Sequence, residues 1–228
     1  NTPHNPSGNV VSPDTLRQIG AILRAASERN GRPILLVSDE VFRDLVFEDD
    51  DVSEKTEEQQ QEQEPSPQQS FSPPSSLFVS PIIACDYDWS VMTYAFSKNL
   101  MIPGRRAGYV AVSPRMPEAD AAALCDAVVC TMAQHWAFPD NVVNFAIPDL
   151  LKLPSTAPFV RRKRDFAVRE LRRIGYTLAV PQAGFTLIIE VPQGFDEFTF
   201  CETLAIKQRV IVLPGSAFSL EGGYARLS

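Results

Sequence analysis

The sequence has few of the residues and patterns that bind metals, cross membranes or form disulfide frameworks. It contains two histidines, His4 in a turn and His135 at the end of an apolar helical run, and this pair offers no metal site. No run approaches the roughly 20 apolar residues that a membrane span needs, so no membrane partner is expected. The four cysteines include no CxxC pair, which predicts reduced, mostly buried thiols in a reducing, cytoplasmic compartment.

The net charge of the chain is concentrated in one segment. The chain of 228 residues has a net charge of −7, but residues 48–64 contain nine acidic residues and one lysine, a net charge of −8. The rest is therefore nearly neutral, and we expect no nucleic-acid partner. One basic cluster, "RRKR" at 161–164, is interpreted as a solvated helix face. Because the acidic segment continues into a Gln-, Ser- and Pro-rich stretch, residues 49–77 are predicted to be a disordered surface insertion.

Helical and strand patterns alternate along residues 1–153. Ser12 and Pro13 begin a helix whose apolar residues recur at helical spacing until Asn30-Gly31. Three short apolar runs predict strands ("PILLVSDE", "SVMTYAFSK" and "GYVAVS"), and two longer ones predict helices (117–133 and 140–152). This alternation is typical of an α/β layer, so we expect a mostly parallel sheet sandwiched by helices.

The pattern changes after residue 153. A long basic amphipathic helix is followed by the apolar run "FTLIIEV", a helical segment near 196–207 and the run "RVIVLPG". These segments predict a smaller α+β domain at 154–228.

Two chemically active side chains follow predicted strands. Asp39 comes directly after "ILLVS", and Lys98 comes shortly after "VMTYAF". Because the carboxyl ends of parallel strands meet at one sheet edge, this arrangement brings a carboxylate and an amine to the same edge. Arg106 follows Lys98 by eight residues, among small residues that allow a guanidinium to approach an anion closely. The combination predicts a ligand site.

Four motifs in order carry a family resemblance: "NTPHNPSG", "SDEVF", "SKNLMIPGRRAG" and the terminal "RLS". Together they resemble the class I/II aminotransferases of the type I pyridoxal-phosphate (PLP) fold. The resemblance implies a homodimeric enzyme that uses PLP to exchange an amino group between an L-amino acid and a 2-oxo acid. It also implies that residues 1–153 belong to the large domain and 154–228 to the small domain of an enzyme whose N-terminal half is missing here.

The resemblance further implies a role for each motif residue. Lys98 matches the lysine that forms a Schiff base with the cofactor and then moves protons during the reaction. Asp39 matches the acid that keeps the pyridine nitrogen protonated. The remaining matches are Asn5 as a donor to the cofactor ring oxygen next to the substrate, Arg106 and Ser97 as phosphate ligands, and Arg226 as the clamp on the substrate carboxylate.

Two positions depart from the family pattern. Phe42 stands where a tyrosine usually donates a hydrogen bond to the cofactor, and Ala95 stands where a serine commonly contacts the phosphate. Another enzyme on the same scaffold (a lyase, a decarboxylase or a cyclopropane-forming synthase) therefore stays open, as does a non-catalytic binding module. Because the family's glycine-rich phosphate loop and its stacking aromatic belong to the N-terminal half, these residues alone are predicted to be inactive.

Overall fold

The computed structural model describes residues 1–47, 77–135 and 140–228. The first helix, α1 (Pro13–Asn30), forms where the sequence predicts it. Ser12 caps it by accepting a hydrogen bond from the backbone N–H of Thr15 at 3.2 Å, and Gly31 ends it with a left-handed φ of 63°. The helix packs closely at Gly20, because a Cβ there would lie 1.8 Å from the carbonyl oxygen of Cys85.

A three-stranded sheet follows. Its strands, in spatial order, are β1 (Leu36–Asp39), β2 (Ser90–Ala95) and β3 (Gly108–Val112). β1 and β2 run parallel, with Asp39 opposite Thr93, whereas β2 and β3 run antiparallel. Of the two pairs in this sheet, therefore, only one has the parallel direction that the sequence favours. The reason is that residues 96–107 return the chain without the α-helical crossover that a parallel neighbour requires.

Three further helices occur in this part of the chain: α2 (Pro81–Ala84), α3 (Glu118–His135) and α4 (Asn141–Leu150). Helix α4 packs on the sheet, since its Val143 belongs to the same buried cluster as Met92 and Tyr94 of β2. Helix α3 differs, because none of its residues is buried and Val129 is 54% exposed.

The last part of the chain forms a second unit of secondary structure. Its elements are α5 (Ala157–Arg173), β4 (Leu187–Glu190), α6 (Glu197–Thr203), β5 (Leu213–Pro214) and β6 (Tyr224–Leu227). The three strands form an antiparallel sheet in the order β4-β6-β5, which agrees with the expected α+β content. Val168 of α5 and Phe200 of α6 pack against Ile189 and Ala225 of this sheet. The domain boundary near residue 153 stays a prediction.

The expectation of mostly buried thiols is wrong, and the expectation that "RRKR" is a solvated face fails at one of its four residues. Cys85 is buried and Cys201 is half-buried, but Cys125 and Cys130 are exposed because they lie on the uncovered helix α3. Arg164, within "RRKR", is only 8% exposed. Its guanidinium donates to the carbonyl of Pro181 at 2.7 Å and lies 4.6 Å from the centre of the Phe47 ring, so it belongs to the core.

The predicted insertion at 49–77 lies outside the described residues except for Leu77. In the three described ranges, no helix combines the length and the apolar character that crossing a membrane requires.

Candidate active site

Lys98 lies three residues beyond the end of β2 and is half-buried. Its Nζ atom lies 5.6 Å from the centre of the Phe42 ring and 5.1 Å from the centre of the Phe185 ring. The two rings meet edge to face, with their centres 5.5 Å apart. Among the described residues, no carboxylate lies within 4 Å of this amine. The rings therefore shield part of the amine from solvent, and no acid in the described part of the chain pairs with it.

Asp39 is the last residue of β1. Because β1 pairs in parallel with β2 and places Asp39 opposite Thr93, the two strands end at the same edge of the sheet, where Lys98 follows. The Asp39 carboxylate accepts a hydrogen bond from the backbone N–H of Val41 at 3.2 Å. Its backbone carbonyl accepts one from the N–H of Thr2 at 3.1 Å, which attaches the N-terminal turn to this edge.

The N-terminal turn that contains Asn5 packs against the segment before β4. The backbone N–H of Gln182 donates to the carbonyl of Gly8 at 3.1 Å. Gly8 adopts a left-handed φ of 71°, and a Cβ on it would lie 2.3 Å from the Cβ of Pro181. Only glycine allows both the turn and the close approach. These contacts fix the position of Asn5, which is half-buried.

Arg226, on β6, contacts Asn5 directly although the two are 221 residues apart in the chain. Its Nη1 donates to the Asn5 Oδ1 at 3.3 Å, and its guanidinium carbon lies 4.2 Å from the centre of the Phe218 ring. Within the described part of the chain, its buried Nε has no hydrogen-bond partner. Burial also lowers the pKa of this guanidinium from its ordinary value. A buried donor of this kind is suited to a carboxylate ligand.

The two predicted phosphate ligands are separate from these contacts. Arg106 has a left-handed φ of 53°, is exposed, and donates through Nη1 to the carbonyl of Pro103 at 2.8 Å. Ser97 is 9% exposed. No hydrogen bond or ion pair in the described ranges joins either residue to another candidate residue.

The family model "Aminotransferase class I and II" matches residues 1–228. The chain belongs to this family. The resemblance read from the four motifs is therefore confirmed, and the α/β fold class is that of a partial type I fold.

The relatives of this class I and II aminotransferase chain are about twice as long. The aspartate aminotransferase of Thermotoga maritima is 26% identical over 235 residues, which cover 100% of this chain and 50% of that protein. A probable aspartate/prephenate aminotransferase of Aquifex aeolicus is 28% identical over 244 residues, with coverages of 100% and 51%. A solved aminotransferase from Eubacterium rectale has a TM-score of 0.72 at 25% identity, covering 99% of this chain and 49% of that one. This chain thus spans about half the length of the curated relatives it matches.

The family comparison does not account for the aromatic contacts of Lys98. Phe42, a departure from the family pattern, is 4% exposed and contacts the amine, while Ala95 is half-buried in β2. The sequence patterns do not single out Phe185, the second ring. A signal does exist, because Gly184 precedes it with a φ of 77°, and a Cβ there would lie 3.4 Å from the Phe42 ring. A glycine next to an aromatic at the start of an apolar strand indicates such a close approach.

Glu40, next to Asp39, is a second feature that the sequence patterns leave out. Its side chain is fully buried, and its Oε1 accepts hydrogen bonds from the hydroxyls of Ser38 at 3.1 Å and Ser80 at 2.6 Å. Its Oε2 lies 3.8 Å from the guanidinium of Arg43. Burial raises the pKa of Glu40, although the two hydroxyls and Arg43 oppose this shift. The carboxyl group connects the end of β1 to the residue before α2 and so fixes the backbone around Asp39.

Proposed function

We propose that the protein is a PLP-dependent aminotransferase that moves an amino group between an L-amino acid and a 2-oxo acid. The observation that supports this proposal is that four of the expected residues lie on connected elements. Lys98 and Asp39 follow parallel strands at one sheet edge, and the turn that bears Asn5 and contacts Arg226 is attached to that edge through Asp39. When bound, PLP supplies an electron-withdrawing ring that stabilises negative charge at the substrate α-carbon.

The side chains on this edge fit the cofactor's polar groups. Lys98 offers an amine that no described acid neutralises, so it can form the covalent link and later carry a proton to or from the substrate α-carbon. Asp39 offers a carboxylate that holds a proton on the ring nitrogen. The oxygen of the Asn5 amide accepts from Arg226, so its nitrogen is the atom that donates to the ring oxygen.

Arg226 suits the feature that both substrates share. L-amino acids and 2-oxo acids differ at the α-carbon but have the same carboxylate. The guanidinium uses Nη1 toward Asn5, and its buried Nε has no acceptor among the described residues. A carboxylate that accepts from Nε and from the second terminal nitrogen satisfies this donor in the bidentate geometry that arginine favours. The same clamp therefore serves both halves of the exchange.

The proposal assigns the phosphate to Arg106 and Ser97. Arg106 donates to the carbonyl of Pro103, so its side chain must turn away from that carbonyl to reach the phosphate. The proposal also includes a cytoplasmic homodimer, with residues 1–153 in the large domain and 154–228 in the small domain. Relatives named aspartate and LL-diaminopimelate aminotransferases support starting the substrate search with acidic amino acids.

Incubation of the full protein with PLP, single amino acids and 2-oxoglutarate tests the proposal. We expect a new 2-oxo acid and glutamate in equal amounts. Release of ammonia or carbon dioxide without glutamate would instead identify a lyase or a decarboxylase, and cofactor binding without turnover would identify a binding module.

A matched pair of lysine variants ties this activity to the site. Lys98→Ala should reduce turnover by about 100-fold or more, because the variant loses both the covalent link and the proton carrier. Lys152→Ala should retain turnover, because Lys152 is exposed and pairs with Asp149 at 2.6 Å. Equal activities of the two variants would contradict the assignment of Lys98.

A further inference from the structure

Phe185 reaches Lys98 from the second unit of secondary structure, although it belongs to none of the four sequence motifs. Its ring centre lies 5.1 Å from the Lys98 Nζ, and the Phe42 ring centre lies 5.6 Å from the same atom. An aromatic face attracts an ammonium group within about 6 Å, so both rings hold the amine. In the described ranges, no hydrogen bond or ion pair holds this Nζ instead.

Two hydrogen bonds fix the backbone on either side of Phe185. Before it, the backbone N–H of Gly184 donates to the carbonyl of Leu45 at 3.0 Å. After it, the buried hydroxyl of Thr186 donates to the carbonyl of Pro6 at 2.8 Å. The first acceptor lies close in the chain to the other ring, and the second belongs to the N-terminal turn. The Phe185 ring therefore has a fixed position relative to both of these parts of the site.

Packing restricts the two rings further. Their planes meet at 69°, so that the edge of one ring faces the other. Phe42 shares a buried cluster with Leu45 and Val160, and Phe185 packs against this cluster. The lysine side chain is a flexible chain of four methylene groups, whereas packed rings keep their positions. The rings therefore determine where the Lys98 amine lies.

An amine held by rings is more easily released than an amine held by a carboxylate. A carboxylate forms a strong, charge-assisted hydrogen bond, which must break before the nitrogen can form a new bond. An aromatic face attracts the ammonium group without such a bond. Covalent bonds form faster when the reacting atom is already held in the productive orientation. The two rings thus offer orientation without a strong competing bond.

We propose that Phe185 is a positioning residue, whose ring holds the Lys98 amine in the orientation in which it forms the covalent link with PLP. In that step the nitrogen of the neutral amine bonds to the aldehyde carbon of PLP, and the aldehyde oxygen leaves as water with both protons of the amine. Phe185 acts on this step through Lys98 alone. The identity of the cofactor rests on the proposed function, whereas the hold on the amine is a property of the chain without PLP.

Acetylation of the full protein without PLP by an amine-reactive reagent, followed by peptide mass mapping, measures the hold on Lys98. Phe185→Leu removes the ring and should raise the acetylation rate at Lys98 by about three-fold or more, while the rate at the exposed Lys152 stays constant. Phe185→Tyr retains a ring and should keep the original rate at Lys98. Phe200→Leu is a matched control, because Phe200 is 5% exposed and meets Phe195 edge to face, but no lysine amine lies over its ring in the described ranges.

Mixing the same proteins with PLP gives a second measurement. Phe185→Leu should slow formation of the covalent link, followed by its visible absorption, several-fold. Its affinity for pyridoxamine 5′-phosphate should stay close to that of the unchanged protein, because this ligand has no aldehyde and forms no bond with Lys98. A residue that only supports the fold would affect both measurements. If Phe185→Leu does not fold, Phe185→Met takes its place, because an unbranched side chain fills irregular space more easily.

Four results would overturn the proposal. They are an unchanged Lys98 acetylation rate in Phe185→Leu, an equal rise in Phe200→Leu, an unchanged rate of link formation in Phe185→Leu, and a matching loss of affinity for pyridoxamine 5′-phosphate. If the unchanged protein forms no link with PLP, the proposed function fails. The acetylation rates then decide alone whether the Phe185 ring holds the amine.

Discussion

Replacing Gly8 by alanine tests whether the N-terminal turn is docked as the site requires. Gly8 has a φ of 71°, and a Cβ on it would lie 2.3 Å from the Cβ of Pro181 and 2.6 Å from the carbonyl oxygen of Ala183. Gly31 is a matched control, because its φ is 63° but a Cβ on it meets no atom within 4 Å. Both variants therefore place an alanine in a left-handed backbone conformation, but only Gly8→Ala also brings a Cβ too close to neighbouring atoms.

The expected free energies follow from these two terms. A left-handed alanine costs roughly 1–2 kcal/mol, and alanine also restricts the unfolded chain by about 0.4–1 kcal/mol in the opposite direction. These contributions are the same for Gly31→Ala and Gly8→Ala, so they cancel in the comparison. Overpacking of a tight contact adds about 1–3 kcal/mol. We therefore expect Gly8→Ala to lower the free energy of unfolding by about 1–3 kcal/mol more than Gly31→Ala does.

Urea denaturation of both variants in the full protein measures this difference. PLP affinity provides a second measurement, because displacement of the turn moves Asn5 and should weaken cofactor binding only in Gly8→Ala. A difference in unfolding free energy below about 0.5 kcal/mol, the usual precision of such comparisons, would show that the turn does not rest on residues 181–183.

Four further predictions concern the site and its surroundings. Borohydride reduction of the PLP-loaded protein, followed by peptide mass mapping, should find the pyridoxyl group on Lys98, and an adduct on any other lysine would contradict the proposed role. Deletion of residues 50–76 with a short Gly/Ser link should leave PLP binding and turnover within a few-fold, and loss of most activity would show that the segment is needed. Phe42→Tyr adds a donor near the cofactor ring oxygen. In a pH titration of the PLP-loaded protein, the midpoint of the change in visible absorption should therefore move to lower pH by about one unit, or ~1.4 kcal/mol. An unchanged midpoint would contradict this placement of Phe42. Burial raises the pKa of Glu40 above its ordinary 4.5, so the free energy of unfolding should fall as the pH rises through the raised pKa. Urea denaturation at several pH values should show a smaller fall in Glu40→Gln than in the unchanged protein. The same dependence of the unfolding free energy on pH in both proteins would refute the effect.

Local signals in the sequence account for the elements that were predicted correctly. A serine cap, a proline at the first helical position and a closing glycine define α1, and their geometry agrees with those roles. The direction of β3 has no such signal. It depends on the path of residues 96–107, which contain a short 3-10 turn and no crossover helix. The predicted burial of the cysteines failed for a similar reason, since α3 is apolar but no described element covers it.

The candidate site also combines features that local sequence signals predict with contacts that they do not predict. The sequence motifs predict which residues take part. The parallel pairing of β1 and β2, which the sequence favours and the structure has, brings the chain segments of Asp39 and Lys98 to one sheet edge. Contacts between segments that are distant in the chain cannot be predicted in this way. The pairing of Arg226 with Asn5 joins residues 221 positions apart, and the position of Phe185 against Lys98 depends on a strand that begins about 90 residues later. No periodicity in a single sequence encodes such pairs.

The contacts of Arg226 also explain why a carboxylate ligand should stabilise the fold. A buried donor without an acceptor costs about 1–3 kcal/mol, whereas the contact with the Phe218 ring contributes about 0.5–2 kcal/mol and so offsets only part of burying the guanidinium. Strand β6 cannot easily move to relieve this cost, because it pairs with β4 on one side and β5 on the other. In the proposed function, a substrate carboxylate that accepts from Nε would remove this cost without moving the strand. If Arg226 has the proposed role, part of the binding free energy of the carboxylate comes from satisfying a donor that folding has already buried.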